Sequence, residues 1–392
     1  RDDGLAPSSV PRFRCTIPLM AKTLMIQGTA SNVGKSLLTA GLCRLYARRG
    51  MKVTPFKAQN MALNSFVTPE GREIGRAQAV QAAAARVSPR ADMNPVLLKP
   101  EGDSRSQVVL FGKPWKTLKA VEYYREKSVL WEAVTGALER LGAEFDLLLI
   151  EGAGSPAEIN LKANEIVNMR VARHLGSPVL LAGDIDRGGV FAFLHGTLEL
   201  LEPEERELVK GFIINKFRGD PALLRPGLDM LANLTGGIPT VGVVPYQKDI
   251  LLAQEDSVFL EERGTEAGRG TEAVEIAVVR LPHISNYDDF DALATEPGVR
   301  VRFIDTAAGL GPGTVLPRAI VLPGTKTTIS DLEWLKDAGL AVAVAACREL
   351  GVSVVGICGG FQMLGVAVAD DDGLEGIPGV HRGLGLLPVE TR

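Results

Sequence analysis

Residues 23–50, TLMIQGTASNVGKSLLTAGLCRLYARRG, decide the fold. An apolar run of strand length leads into a turn bounded by glycines, and a helix-length segment follows in which Leu37, Leu38, Leu42 and Leu45 keep to one face. Gly50 suits the helix stop. In a strand, glycine-rich turn and helix taken in that order, backbone N–H groups and the helix N-terminus surround phosphate oxygens. The expected contacts are Gly28, Thr29, Asn32, Val33, Gly34, Lys35 and Ser36. Lys35 would place a point charge at terminal phosphates, and the Ser36 hydroxyl would bind Mg²⁺. Five residues separate Gly28 from Gly34, one more than the usual loop has. A turn that merely joins strand to helix would also carry glycines. The GKS ending and the flanking elements favour phosphate, while the extra residue points away from ordinary G proteins and kinases.

Further apolar runs follow at 52–56 (KVTPF), 145–150 (FDLLLI), 177–184 (SPVLLAGD), 211–216 (GFIINK) and 239–245 (PTVGVVP). Their hydrophobicity is continuous rather than alternating, which predicts parallel strands covered on both faces by helices. Ligand-binding groups of such sheets collect at the strand ends. Glu151 stands at one end as a second Mg²⁺ contact or a solvated acid. Asn215 stands at another, suited to an adenine edge, and Lys57 would add a second positive charge. Asp184, Asp186 and Arg187 could hold metal and a carboxylated substrate, or form a structural acid–base cluster.

The chain of 392 residues, 46% hydrophobic and 23% charged, is long enough for two or three domains. A net charge of −4 gives no electrostatic reason to expect nucleic acid or an anionic membrane as partner. Cys15, Cys43, Cys347 and Cys358 form no CxxC pair, which fits a reducing cytosol. The uncharged stretch 351–369 nears the length of a membrane span but holds five glycines, and reads instead as a buried strand, a turn and a helix start. Residues 1–19 read as a disordered leader. An α/β P-loop domain is expected over 20–261, a linker over 262–273, where RGTEAGRGTEA repeats itself, and a second α/β domain over 274–392. The second domain's strands are expected in VEIAVVRLP, VRVRFID, RAIVLPG and VSVVGIC, spaced by helical segments such as 330–350.

In VVGICGGFQMLG, 354–365, an apolar strand ends at Cys358 between Gly356 and the pair Gly359 and Gly360. Small neighbours allow a strained turn that projects a nucleophile, and backbone N–H groups after it can hold an oxyanion. A buried core cysteine is the bland reading, and it suits Cys43 and Cys347 better. None of His174, His195, His283 and His381 stands where the thiol's base is expected.

These residues resemble a known family. The stretched loop, with EGAG at 151–154 and Asn215, resembles the dethiobiotin synthetase type of P-loop ATPase. GICGGFQMLG resembles a class I glutamine amidotransferase elbow, whose domain is flavodoxin-like. Their fusion is characteristic of the cobyric acid synthase family. The stretches 57–85, 93–100, 184–192, 214–220, 282–293 and 322–326 are also similar to it, so the resemblance runs from Met20 to Arg392.

The resemblance implies ATP, Mg²⁺ and glutamine acting on a corrinoid, adenosylcobyrinic acid a,c-diamide. Its b, d, e and g carboxylates would be amidated through acyl phosphates. Cys358 would release ammonia from glutamine, with Gly324 and Gly359 supplying the oxyanion-hole N–H groups. Asn60 and Asn64 are further candidate substrate or metal contacts. The family's catalytic His follows the elbow by many tens of residues, whereas 34 residues follow Cys358 here. His381 is too close to take that role, so a C-terminally incomplete glutaminase half is expected. Two rival readings are a cobyrinic acid a,c-diamide synthase and a partitioning-type ATPase that acts as a binding switch. The 61–78 block favours cobyric acid synthase over the first, and the second predicts dimerisation without amide formation.

Overall fold

The computed structural model describes residues 21–102, 105–247, 273–373 and 378–392. The expected leader, and all but the last residue of the expected linker, lie outside the described residues. The chain divides into two compact units. One comprises the described residues within 1–58, 81–87 and 129–249, the other those within 59–80, 88–128 and 250–392.

In the first unit six strands form an all-parallel sheet. Their order is Thr240–Pro245, Val209–Phe217, Val179–Asp184, Lys22–Gly28, Leu147–Glu151, Val53–Phe56. Each of the six expected apolar runs supplies one of them. Leu147–Glu151 is buried at every position, as a strand covered on both faces must be, while the edge strand Thr240–Pro245 is partly open. Ile26 pairs with Glu151, Gly28 with Ala182 and Asp184 with Asn215. The chemistry-bearing strand ends therefore lie along one edge of the sheet.

The helix Lys35–Arg48 starts directly after Gly34, whose φ of +96° is left-handed. Its buried face is Lys35, Thr39, Ala40 and Cys43 rather than the four leucines, and Leu45 is 42% exposed. The small Cys43 sits in a cluster with Leu147 and Leu149, with Leu42 at its flank. Leu38 packs on Val33, Ala182 and Ile213. Small side chains take the stripe against the sheet and the leucines border it.

The second unit holds a four-stranded parallel sheet in the order Val299–Ile304, Val274–Val279, Ala319–Leu322, Ser353–Gly356. Segment 330–350 falls in two helices, Thr328–Asp337 and Leu340–Glu349, divided at Gly339 with φ +72°. Ser353–Gly356 was expected to be buried but alternates between exposed and half-buried. The cause is its place at the sheet edge, with a partner strand on one side only among the described residues.

The same unit contains a second sheet, in the order Gln59–Met61, Val96–Gly102, Arg105–Leu110, Lys113–Lys119, antiparallel except for the first pairing. Ion pairs Arg76–Asp288 and Lys326–Glu101 tie this earlier segment to the C-terminal part of the unit. The two units thus interleave along the chain, where a serial division at 262–273 is expected from the sequence. Among the described residues no helix is long and apolar enough to cross a membrane.

Candidate functional site

The first site is built on the 28–36 turn. Thr29 N donates to Ala182 O at 3.0 Å, fastening the turn to the neighbouring strand. A Cβ on residue 34 would stand 2.2 Å from Asn215 Nδ2, so only glycine fits between loop and strand end. Lys35 is buried, and its Nζ donates to Ala30 O at 2.9 Å and Gly154 O at 3.0 Å. The ammonium is thereby held inside the turn beside the EGAG segment. Asn168, whose Oδ1 accepts from Ala153 N at 3.1 Å and whose Nδ2 donates to Ala153 O at 2.7 Å, braces that segment.

Glu151 is the centre of a buried polar cluster. It accepts from Ser36 Oγ at 2.8 Å, from Lys57 Nζ at 3.0 Å and from Gln81 Nε2 at 2.5 Å. Burial pushes this carboxyl up. The Lys57 charge and the hydrogen bonds from Gln81, Lys57 and Ser36 outweigh it and hold the group below the usual carboxylate range. The carboxylate is therefore ionised, and Lys57 neutralises it instead of adding an unopposed charge. The same anion, after burial itself, helps push the Cys43 thiol up to about 12. Ser36 Oγ and Glu151 Oε1 are hard oxygen donors of the kind Mg²⁺ takes together with phosphate and water. Among the described residues no group of three or more His, Cys, Asp or Glu could hold a metal, so such an ion would draw most of its ligands from phosphate and water.

Asn215 is buried, and its amide donates to Val33 O at 2.8 Å. The structure sets this amide nitrogen against the loop itself. Asp184 lies 2.7 Å from Lys216 Nζ, Asp186 lies 2.8 Å from Arg218, and the exposed Arg187 is 3.9 Å from Asp184. This trio is thus largely engaged in ion pairs. Asn60 and Asn64 belong to the other unit and are buried, Asn60 with its amide 3.5 Å from Gln78 Oε1. Sequence reasoning passed over Gln81 and Lys216, although both lie in stretches it quoted.

The second site surrounds Cys358, which is exposed and has φ +49° and ψ −114°, a strained backbone for any residue other than glycine. Cys43 and Cys347, by contrast, are buried. Cys358 lies between the strand Ser353–Gly356 and the short helix Gly359–Leu364. A Cβ on Gly324 would be 3.7 Å from the Cys358 Cβ, and one on Gly359 would be 2.8 Å from Thr325 Cγ2. The two loops that carry the candidate oxyanion donors therefore run side by side. A Cβ on Gly360 would lie 2.0 Å from Leu322 O, so the turn tolerates no side chain there.

The loop at Gly324 is anchored by Asp331, which is fully buried. Asp331 accepts from His283 N at 3.1 Å and from the Thr325 hydroxyl, and its Oδ1 is 2.7 Å from His283 Nδ1. His381, which the sequence reading set aside, lies on a strand paired with Val368. The hydrogen bond to Asp331 raises the proton affinity of His283 above its ordinary value, with burial opposing. A raised folded-state pKa adds stability that is fully present below the unfolded value of about 6.5 and fades as pH climbs through the folded one. Accordingly, His283→Asn is expected to lower the melting temperature more at about pH 5.5 than at about pH 9. An equal loss at both pH values would show that the charge on His283 contributes nothing.

Two family models match the chain. The description of one is CobQ/CobB/MinD/ParA nucleotide binding domain, over residues 24–258, and that of the other is CobB/CobQ-like glutamine amidotransferase domain, over 275–392. Among curated proteins, the cobyric acid synthase of Sorangium cellulosum is 59% identical over 95% of this chain and 71% of its own length. That of Dehalococcoides mccartyi (strain ATCC BAA-2266 / KCTC 15142 / 195) is 55% identical over 95% and 72%. That of Moorella thermoacetica is 54% identical over 95% and 71%. A solved FtsY from Elizabethkingia anophelis, in complex with GDP, is 17% identical with a TM-score of 0.34, covering 60% of this chain and 61% of that one. A likeness at that level carries no argument.

Proposed function

This chain belongs to the cobyric acid synthase family, and from that membership we propose that it amidates the b, d, e and g carboxylates of adenosylcobyrinic acid a,c-diamide, using ATP and glutamine. The observation that carries the reading is one chain holding both the Lys35–Ser36–Glu151 cluster and a strained, exposed cysteine beside Gly324.

In the first half-reaction a substrate carboxylate oxygen bonds to the γ-phosphorus of ATP and the bond to the β-phosphate oxygen breaks, leaving an acyl phosphate and ADP. The turn from Gly28 to Ser36 encloses the phosphates, and Lys35 offsets the charge that develops on them. Ser36 and Glu151 would hold Mg²⁺, which supplies positive charge at the phosphate oxygens when bound. Lys57 and Gln81 keep Glu151 ionised for that task. Arg187, being exposed, suits a carboxylated substrate.

In the second half-reaction the Cys358 sulfur attacks the glutamine carboxamide carbon, and the N–H groups of Gly324 and Gly359 stabilise the oxyanion. Collapse of that adduct releases ammonia and leaves a thioester that water hydrolyses. Ammonia then attacks the acyl phosphate carbon and phosphate departs. The cysteines fit a reducing compartment, since Cys43, Cys347 and Cys358 are all unpaired thiols.

The test is ATP-dependent amidation of the a,c-diamide followed by mass, with ammonia and glutamine supplied in parallel. Stepwise gain of amides that requires ATP supports the proposal. No ATP-dependent product with either nitrogen donor would sink it.

A further inference from the structure

Two adjacent side chains at the end of the Val209–Phe217 strand reach the same loop. Asn215 Nδ2 donates to Val33 O at 2.8 Å, and Lys216 Nζ donates to Asn32 O at 2.9 Å. Consecutive side chains of a regular strand point to opposite faces, so an unbroken strand would deliver only one of them. The strand is broken here. Lys216 has φ +58°, in the left-handed region that residues other than glycine seldom enter, and pairing with Thr240–Pro245 shifts register between Ile214 and Phe217.

The carbonyl that Lys216 holds belongs to Asn32, itself left-handed at φ +60° and one of the five residues between Gly28 and Gly34. On its other side Lys216 Nζ is 2.7 Å from Oδ2 of the buried Asp184, whose Oδ1 accepts from Asp186 N at 2.9 Å. Two of the three ammonium donors are thus directed, one to the loop and one to a fixed anion. Across a planar trans peptide the carbonyl and the following N–H point in opposite directions. Drawing the carbonyls of Asn32 and Val33 toward the strand end therefore turns the N–H groups of Val33 and Gly34 away from it, into the turn.

We propose that Lys216, fixed by Asp184, is a positioning residue of the nucleotide site: it clamps the extra length of the loop so that its N–H groups face the phosphates. The inference rests on the nucleotide reading above and adds a residue which that reading does not use. It also gives the strained backbone a purpose, since the strain is what brings the second side chain to the loop.

The experiment is equilibrium binding of MgATP to the whole chain, with melting temperature measured alongside, for the unmodified protein, Lys216→Gly, Lys216→Arg, Asp184→Asn and the double variant Lys216→Gly/Asp184→Asn. Glycine accepts the left-handed backbone, so Lys216→Gly removes the clamp without distorting the chain. The expected result is a Kd raised about tenfold in Lys216→Gly with no fall in melting temperature. Lys216→Arg should recover most of that loss, and the double variant should bind no more weakly than Lys216→Gly alone. Binding by Lys216→Gly as tight as that of the unmodified chain would overturn the proposal, as would a weakening that tracks a lowered melting temperature. An unmodified chain that fails to bind MgATP would instead overturn the nucleotide reading, and this inference with it.

Discussion

Lys35→Met is expected to slow ATP-dependent amidation by about a thousandfold while leaving the melting temperature nearly unchanged. Lys35 lies inside the turn with its ammonium on two backbone carbonyls, Ala30 O and Gly154 O. Methionine keeps the unbranched stem that fills this space and removes only the charge. That charge matters most when negative charge builds on the transferring phosphoryl group, because a preorganised cation in a water-poor site has no reorganisation to undergo. The loss should therefore fall on kcat of the ammonia-supported reaction, which bypasses Cys358. Unchanged turnover in Lys35→Met would remove the lysine from the chemistry and with it the phosphate reading of the turn.

In a chain that carries the glutaminase half's catalytic base, Cys358→Ser is expected to abolish glutamine-supported amidation, by about a thousandfold or more, and to leave ammonia-supported amidation within about twofold. Serine nearly preserves the shape of the side chain, so the strained backbone at φ +49° keeps its geometry. What is lost is the sulfur nucleophile, since a hydroxyl is a far weaker one toward the carboxamide carbon. Glu151 and Cys358 lie in different units of the chain, which is why the two nitrogen donors should separate so cleanly. An equal fall with both donors would mean that Cys358 maintains structure rather than reacting.

Much of this architecture was legible in the sequence because burial on both faces writes itself as unbroken apolar runs. The six strands around the nucleotide turn are legible that way, while the four around the elbow are legible from their spacing with helical segments. The sheet from Gln59 to Lys119 was not, since Lys113–Lys119 is largely exposed and its lysines mask any apolar period. The buried face of the Lys35–Arg48 helix was misread for a related reason. Leucines mark a hydrophobic stripe, but the buried positions are Lys35, Thr39, Ala40 and Cys43, with Leu38 and Leu42 packed at their flanks.

At the candidate sites, spacing singles out Lys35, Ser36 and Cys358, whose proposed roles depend on their immediate neighbours. Gln81 and Lys216 act at long range, and no local pattern shows that a residue 70 positions from Glu151 will donate to it. Folding also gives candidate residues partners that the sequence does not show. Lys57, expected to add a second positive charge, is also the counter-ion of Glu151. Asn215, suited by its place to an adenine edge, also braces the loop through its amide nitrogen.

The Lys57–Glu151 pair also has a history to account for. Both side chains are almost wholly shielded from water, so losing either one strands the other as an uncompensated charge, at a cost of about 3–5 kcal/mol. Against a typical folding margin of roughly 5–15 kcal/mol, that intermediate stands close to unfolding. A lineage can therefore exchange this pair only by changing both positions together or by first accumulating stability elsewhere.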